Sequence, residues 1–350
     1  MKRNLKVKLT LLLAVSLISI FVLSGCGKSY DATLRVYNWG DYIDKSVITD
    51  FEKEYNIKVI YSTFTTNEDM YVSLKSGGNA YDVVFPSEYM VKRMINEDML
   101  HKINMDNIPN FKYIDDRFKN PPWDPNNEYS VPYFWGTLGI VYNKTMVDDP
   151  VDSWEILWNE KYERQILMLD SQRDSIGLTL QMLGYSMNTR NLDELEEAKQ
   201  KLIEQKPLVL AYVGDEVKDK MVGGEAALAV VWSGEAVAMK WENPDLEYVI
   251  PKEGGNLWFD CAVIPKVSKN KEAAELFINY LCDPEIAFRN ADYIGYSTPN
   301  TETMKMLDEE LLNDIAAYPT KEQTANCEVF DDVSDALEIY DRIWTEIKAK

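Results

Sequence analysis

The chain has 350 residues, with 58 acidic against 37 basic side chains, a formal net charge of −21 and one histidine, His101. So acidic a surface does not favour nucleic acid or anionic lipid, and it attracts cations over long range. A lone histidine with no nucleophile motif beside it argues against a hydrolase built on a Ser-His or Cys-His pair. Four cysteines (Cys26, Cys261, Cys282 and Cys327), with no CxxC or Cys/His cluster, give no zinc pattern and no sign of any bound metal or cofactor.

The chain opens on the basic run MKRNLKVK and an apolar run from Leu9 to Leu23, shorter than the roughly 20 residues of a spanning helix. Residues 1–25 therefore read as a signal peptide. The run ends in LSGC, Leu23 to Cys26, which resembles a bacterial lipobox. That resemblance implies cleavage before Cys26 and a diacylglyceryl group on it, two acyl chains being enough for stable anchoring. No second long apolar stretch follows, so the remainder reads as soluble and extracytoplasmic. Removing residues 1–25 takes out four basic residues and no acid, moving the net charge from −21 to −25. About 325 mature residues exceed one hydrophobic core and predict two lobes. The three cysteines left after lipidation leave room for one disulfide.

From Leu34 onward strand and helix signals alternate. LRVYNW, IKVIYSTF and YDVVFPS read as strands. Between and after them KSVITDFEKEY, NEDMYVSLKSGG (with Asn67 as its cap) and EYMVKRMINED read as helices. This β-α-β-α-β order implies a parallel sheet with helices on its faces. After the Pro-rich NPPWDPNNEYS comes VPYFWGTLGIVYN, too long and apolar for an edge strand, read as a segment crossing between lobes. A second alternating region starts with the helix-like SWEILWNEKY and includes QILMLD, SIGLTLQMLGYSM, LDELEEAKQKLIEQ, LVLAYV, EVKDKMVGG and AALAVVW. In LDELEEAKQKLIEQ, Glu197 and Lys201 stand at i,i+4 on a solvated face. LEYVIP and LWFDCAVIP are strands, the latter crossing back. The remainder is helical, and Val333, Leu337, Tyr340, Trp344 and Ile347 mark one core-facing stripe.

Four of the nine tryptophans carry an acid two residues on, where chance predicts about one and a half from the acid content. Trp158/Glu160 and Trp344/Glu346 fall in helix-like runs, where i and i+2 diverge. Trp39/Asp41 and Trp258/Asp260 fall in or beside strands, where i and i+2 share a face. Each of these two pairs sets an aromatic face beside a carboxylate.

The lipobox, YNWGDYI, FPSEYMV, VPYFWGTLGIVYN, MLDSQRDSIGLTL, VVWSGEA, GGNLWFDCAVIP and IGYSTPN, in this order and spacing, resemble the PotD/PotF-type polyamine-binding proteins of ABC importers. The resemblance spans essentially the whole mature chain. It implies an α/β, two-lobed periplasmic-binding-protein fold of type II with ligand in the cleft between lobes. The implied lobes are discontinuous, 31–136 with 261–305 and 137–260 with 306–350. The inferred first-lobe contacts are Trp39, Asp41, Tyr42, Ser87 and Tyr89. Asp174, Trp232, Trp258 and Asp260 are the second-lobe and crossing contacts, and Tyr296 completes the aromatic set. Tyr42 and Tyr89 also fit an ordinary lobe surface, Trp232 a core position and Asp174 a helix cap.

A polyamine is a set of ammonium centres on methylene chains. Each enclosed charge needs a partner, and aromatic faces serve both methylenes and cations. An acid inside LWFDCAVIP would be buried unpaired without a cationic ligand. The chain departs from the spermidine-binder pattern at Ser171, where an acid is usual, at Gly40, where a hydroxyl residue is common, and at Phe330, often glutamine. Asp41, Asp174 and Asp260 still balance three charges, so spermidine is the expected ligand with putrescine second. The expected partners are the transmembrane subunits of an ABC permease and, through the lipid anchor on Cys26, the membrane; no catalytic residue is expected. Sugar or ferric-ion binding on the same fold, or a glycoside hydrolase with two carboxylates, are the alternatives.

Overall fold

The structure is a computed structural model that describes residues 29–77 and 80–350. The signal peptide over 1–25 and Cys26 lie outside the described residues. Among the described residues nine strands form one sheet: β1 Ala32–Asn38, β2 Ile57–Thr63, β3 Val83–Val84, β4 Ser130–Asn143, β5 Ile166–Leu169, β6 Val209–Val213, β7 Leu228–Trp232, β8 Leu246–Val249 and β9 Leu257–Val263. The order is β2-β1-β3-β9-β4-β7-β5-β6, with β8 also on β4. β1 is parallel to β2 and β3, and β5 is parallel to β6 and β7, as the alternating pattern predicts. Between these groups β4 and β9 run antiparallel to each other and to their outer neighbours β7 and β3. They are the two crossing segments.

β4 is buried at every position but Tyr142, so both its faces are covered, which explains its unbroken apolar sequence. Its first half packs into a core with Leu34, Phe51, Phe85 and Phe277. Its second half packs into another with Trp154, Ile166, Leu178 and Tyr340. Trp232, at the end of β7, touches both.

Helix α1, Lys45–Tyr55, is capped by Asp44 and buries Val47 and Phe51 one turn apart. Helix α2, Asn67–Lys75, begins one residue earlier than its sequence suggests. Thr66 is the cap, its hydroxyl accepting the Asp69 N–H at 3.1 Å, and Asn67 turns inward. Helix α3, Glu88–Asn96, starts directly after Ser87. Helix α4, Gln172–Met182, is capped by Ser171 and not by Asp174, which sits inside the first turn. SWEILWNEKY forms two short 3-10 turns, Trp154–Trp158 and Glu160–Tyr162, because Asn159 ends the first and caps the second. The expected Glu197–Lys201 pair is replaced by Lys201–Glu204 at 2.8 Å, while Glu197 accepts from Tyr185. Cys261, Cys282 and Cys327 are free, and His101 lies against the Ser268 carbonyl at 3.3 Å.

One glycine fixes how closely the crossing strands approach. Gly136 on β4 is the register partner of Trp258 on β9. A Cβ there would lie 2.5 Å from both the Trp258 ring and Ser233 Oγ. Gly136→Ala is expected to displace the Trp258 ring and to destabilise the fold by about 1–3 kcal/mol, the usual cost of overpacking. A lower urea midpoint with unchanged slope is the expected reading.

Candidate functional site

Asp260 is the centre of the site. It lies on β9 opposite Phe134, at an irregularity in the β4–β9 register next to Pro132, which has no N–H to give the ladder. There β9 also bridges to Ser87, the residue before α3. Asp260 is 5% exposed. One carboxylate oxygen accepts from the Tyr42 hydroxyl at 2.6 Å, the other from the Ser87 hydroxyl at 2.7 Å. Among the described residues no cation pairs with it. Burial pushes its pKa from 3.8 up to about 7, with the two hydroxyls pulling the other way.

Neighbouring groups hold those hydroxyls in place. The Ser87 N–H donates to the Asn67 side chain at 3.1 Å, and the Asn67 amide donates to Ser87 Oγ at 3.0 Å. The inward turn of Asn67 at the start of α2 thus orients Ser87 toward Asp260. Tyr133 donates to the Tyr42 carbonyl at 2.8 Å. The Tyr296 ring stands 5.2 Å from Trp258 and 5.3 Å from Tyr42, both edge-on. Gly234 allows this, since a Cβ there would sit 2.1 Å from the Tyr296 ring.

Of the residues expected from sequence, Tyr42, Ser87, Trp258, Asp260 and Tyr296 therefore meet at one point. Asp174 is buried nearby at the start of α4, accepting from Ser171 Oγ at 2.7 Å and Asn256 Nδ2 at 3.3 Å. Burial raises its pKa, and the Ser171, Asn256 and Trp232 side chains and the Arg173 charge oppose the rise. Trp39 packs on Phe64 at 4.5 Å, and its indole N–H has no partner. Tyr89 donates to Glu68 at 3.0 Å and faces Phe330 at 6.0 Å. Asp41 is the outlier. Its side chain is 75% exposed and stands 3.4 Å from Lys218, so it lies at the surface rather than inside.

Three charged residues were missed from sequence. Glu88 and Glu235, at the starts of α3 and of helix Ser233–Glu242, are buried, and each leaves one oxygen without a partner. Burial lifts each pKa from 4.5 to about 8. Arg173 is the one arginine or lysine buried among the described residues. Its guanidinium lies 4.4 Å from the Phe330 ring and 5.3 Å from Tyr89. The signal available was position. FPSE and VVWSGE each put an acid just past a strand end, where ligands bind in open α/β sheets.

The arrangement suits an extended organic cation. Asp41 apart, its carboxylates at Asp260, Asp174, Glu88 and Glu235 are buried and form no ion pair among the described residues, its walls are aromatic, and its carboxylates stand apart rather than clustered. Among the described residues no His/Cys/Asp/Glu group could hold a metal ion.

Residues 46–320 match the family of bacterial extracellular solute-binding proteins. The chain is 40% identical over 329 residues to the spermidine/putrescine-binding periplasmic protein of Salmonella typhimurium, covering 93% of this chain and 94% of that one. It is also 40% identical over 319 residues to the Escherichia coli protein of the same name, covering 91% and 92%. Among solved structures it superposes with a TM-score of 0.78 on the spermidine/putrescine ABC transporter substrate-binding protein PotD from Streptococcus pneumoniae. The two are 43% identical, with 91% of this chain and 99% of that one covered. The fold is the two-lobed type II binding-protein fold expected from the motifs.

The carboxyl pKa values set the pH dependence of the empty protein. Asp260, Glu88 and Glu235 release their protons near pH 7 to 8 when folded but near pH 4 to 4.5 when unfolded. Between those limits the folded state holds more protons, so stability falls as pH rises through this window. Urea unfolding without ligand is expected to give a lower midpoint at pH 8.5 than at pH 5.5. Asp260→Asn should narrow that gap.

Proposed function

Because the chain belongs to the bacterial extracellular solute-binding protein family, we propose that it captures polyamines outside the cytoplasm and delivers them to the transmembrane subunits of an ABC permease. The observation that carries this reading is the Asp260 carboxylate, buried, bonded among the described residues by two hydroxyls and no cation, and ringed by Tyr42, Trp258 and Tyr296. An ammonium supplies the missing charge, and the aromatic walls cover the methylenes on either side. The names of the relatives point the same way.

Spermidine is the favoured ligand, with putrescine second. Asp174 and Asp260 meet two charges. The third falls at the Asp41 end, where Asp41 is held by Lys218 and the buried Glu235 lies close enough to feel its charge. The lobes are 31–136 with 261–305 and 137–260 with 306–350, hinged on β4 and β9. The ion pairs Lys92–Asp331 and Asp41–Lys218 span the two lobes.

Calorimetry with diamines, triamines, a sugar and Fe(III) tests the reading, and spermidine and putrescine are expected to bind while the others do not. Asp260→Asn should weaken spermidine binding by about 2–5 kcal/mol, because it leaves an enclosed ammonium unpaired. Trp258→Leu should cost about 0.5–2 kcal/mol, since leucine still covers methylenes. Undiminished binding by Asp260→Asn would make that residue structural.

Cys26 carries the lipid anchor in this reading, after cleavage of residues 1–25. Metabolic labelling with a radioactive fatty acid should mark the parent protein and not Cys26→Ala, while polyamine binding stays the same. Equal label in both would move the anchor elsewhere.

A further inference from the structure

The Asp41 end of the site carries a cation of the protein's own. Lys218, on helix Val217–Val222, sets its ammonium 3.4 Å from Asp41 Oδ2, across the two lobes proposed above. Among the described residues this is the ammonium's one hydrogen bond. It is a long one, since a charged N–H usually meets a carboxylate at about 2.7–2.9 Å. The other ion pair across the lobes, Lys92–Asp331, closes to 2.5 Å. Lys218 is therefore held loosely.

The acids around it outnumber it. Asp215, three residues before Lys218, stands against the backbone of Gly40, where a Cβ would lie 2.9 Å from Asp215 Oδ2. Gly40, in place of the hydroxyl residue common in the spermidine-binder pattern, thus lets a carboxylate of one lobe approach the other lobe between Trp39 and Asp41. Glu235 is the third acid, 5% exposed, with one oxygen that has no partner among the described residues. Burial lifts its pKa to about 8, the Lys218 charge opposes the rise, and the Asp215 and Asp41 charges add to it. Burial likewise raises Asp215, with Lys218 opposing and Asp41 adding. One ammonium is shared by three carboxyl groups.

Tyr296 joins this end to the Asp260 site. Its ring meets Trp258 and Tyr42 edge-on and lies against Gly234, the residue before Glu235. Burial raises the pKa of its hydroxyl, and the charges of Glu235, Asp215 and Asp260 add to the rise in that order. One wall residue is thus within electrostatic reach of acids at both ends. Asp260 and Asp174 are bonded by hydroxyls and an amide and form no ion pair among the described residues. The resident cation is at the Asp41 end.

A ligand ammonium brought to Asp41 must displace Lys218 or sit beside it, and two ammonium groups at one carboxylate repel each other. Putrescine, with charges for Asp260 and Asp174 alone, leaves the lysine where it is. Spermidine carries a third ammonium to the lysine's place. We infer that Lys218 is a specificity-determining residue: its ammonium stands in for the third ligand ammonium, so that spermidine binds by displacing it and putrescine binds without doing so. The lysine thereby narrows the preference for the triamine and keeps the diamine a second ligand. This rests on the polyamine reading above.

The test is calorimetry of the parent protein, Lys218→Met and Lys218→Arg with putrescine and spermidine. Methionine keeps an unbranched apolar stem without the charge, and arginine keeps the charge. The Asp41 side chain is 75% exposed, so the competing charge is partly screened and the effect is moderate. Lys218→Met should tighten spermidine about three- to tenfold and change putrescine by less than about twofold. Lys218→Arg should bind both amines as the parent does. If Lys218→Met does not fold, Lys218→Gln should show the same selective gain. Unchanged spermidine binding, or the same gain in Lys218→Arg, overturns the role of Lys218. So does an equal loss of both amines, the result expected of a plain clasp between the lobes. Each of these leaves polyamine binding intact. A parent protein that binds no amine overturns the function and this role together.

Discussion

Everything about the cleft follows from one constraint: Asp260 is a carboxylate enclosed on a strand between two cores without a cation. Desolvation of such a group is expensive, and two hydroxyl donors only partly offset it. The hydroxyls of Tyr42 and Ser87 must therefore be aimed: Asn67 bonds the Ser87 hydroxyl directly, and Tyr133 fixes the Tyr42 backbone through its carbonyl. The rings around it must come close enough to exclude water, and glycines at 136 and 234 remove the side chains that would hold Trp258 and Tyr296 away. The empty site is a strained electrostatic arrangement, held by the rest of the fold and relieved by the ligand.

The same logic orders the charged residues. Asp82, Asp124 and Glu275 are surrounded by donors. Glu88 and Glu235 each have an oxygen without one. Arg173, stacked on Phe330 and Tyr89, partly opposes the burial-driven rise in the pKa of both Asp174 and Glu88 without hydrogen-bonding either. It tempers an otherwise wholly acidic interior, so the cleft is selective for a cation without being made of negative charge alone.

Much of this was legible in the sequence, for physical reasons. Strands buried on both faces write long apolar runs, and amphipathic helices write a 3.6-residue period, so β4, β9 and helices such as α1 stand out. The Trp258/Asp260 pair was readable because an acid inside an apolar strand has no innocent explanation. Other features were not readable, because they depend on one-residue choices between equivalent side chains. Thr66 and Asn67 are both good caps, and only the pull of Ser87 decides that Asn67 turns inward. Ser171 and Asp174 compete in the same way at α4. Asp41 looked equivalent to Asp260 by spacing, yet follows the end of β1 and points to the surface, where Lys218 meets it. Glu88 and Glu235 looked like ordinary acids in helix first turns, since burial at a helix start is set by what packs over it from distant parts of the chain.

The double crossing of the chain has a consequence for biogenesis. The first core draws on residues from Leu34 to Ile294 and the second on residues from Leu138 to Ile347. Neither can close until most of the polypeptide has been made, because β9 and the helices after it are missing from an N-terminal fragment. Long-range pairing of this kind folds slowly. A chain emerging from the ribosome therefore lacks both closed cores for most of its synthesis, and a chain without a closed core is what a narrow secretion channel can accept.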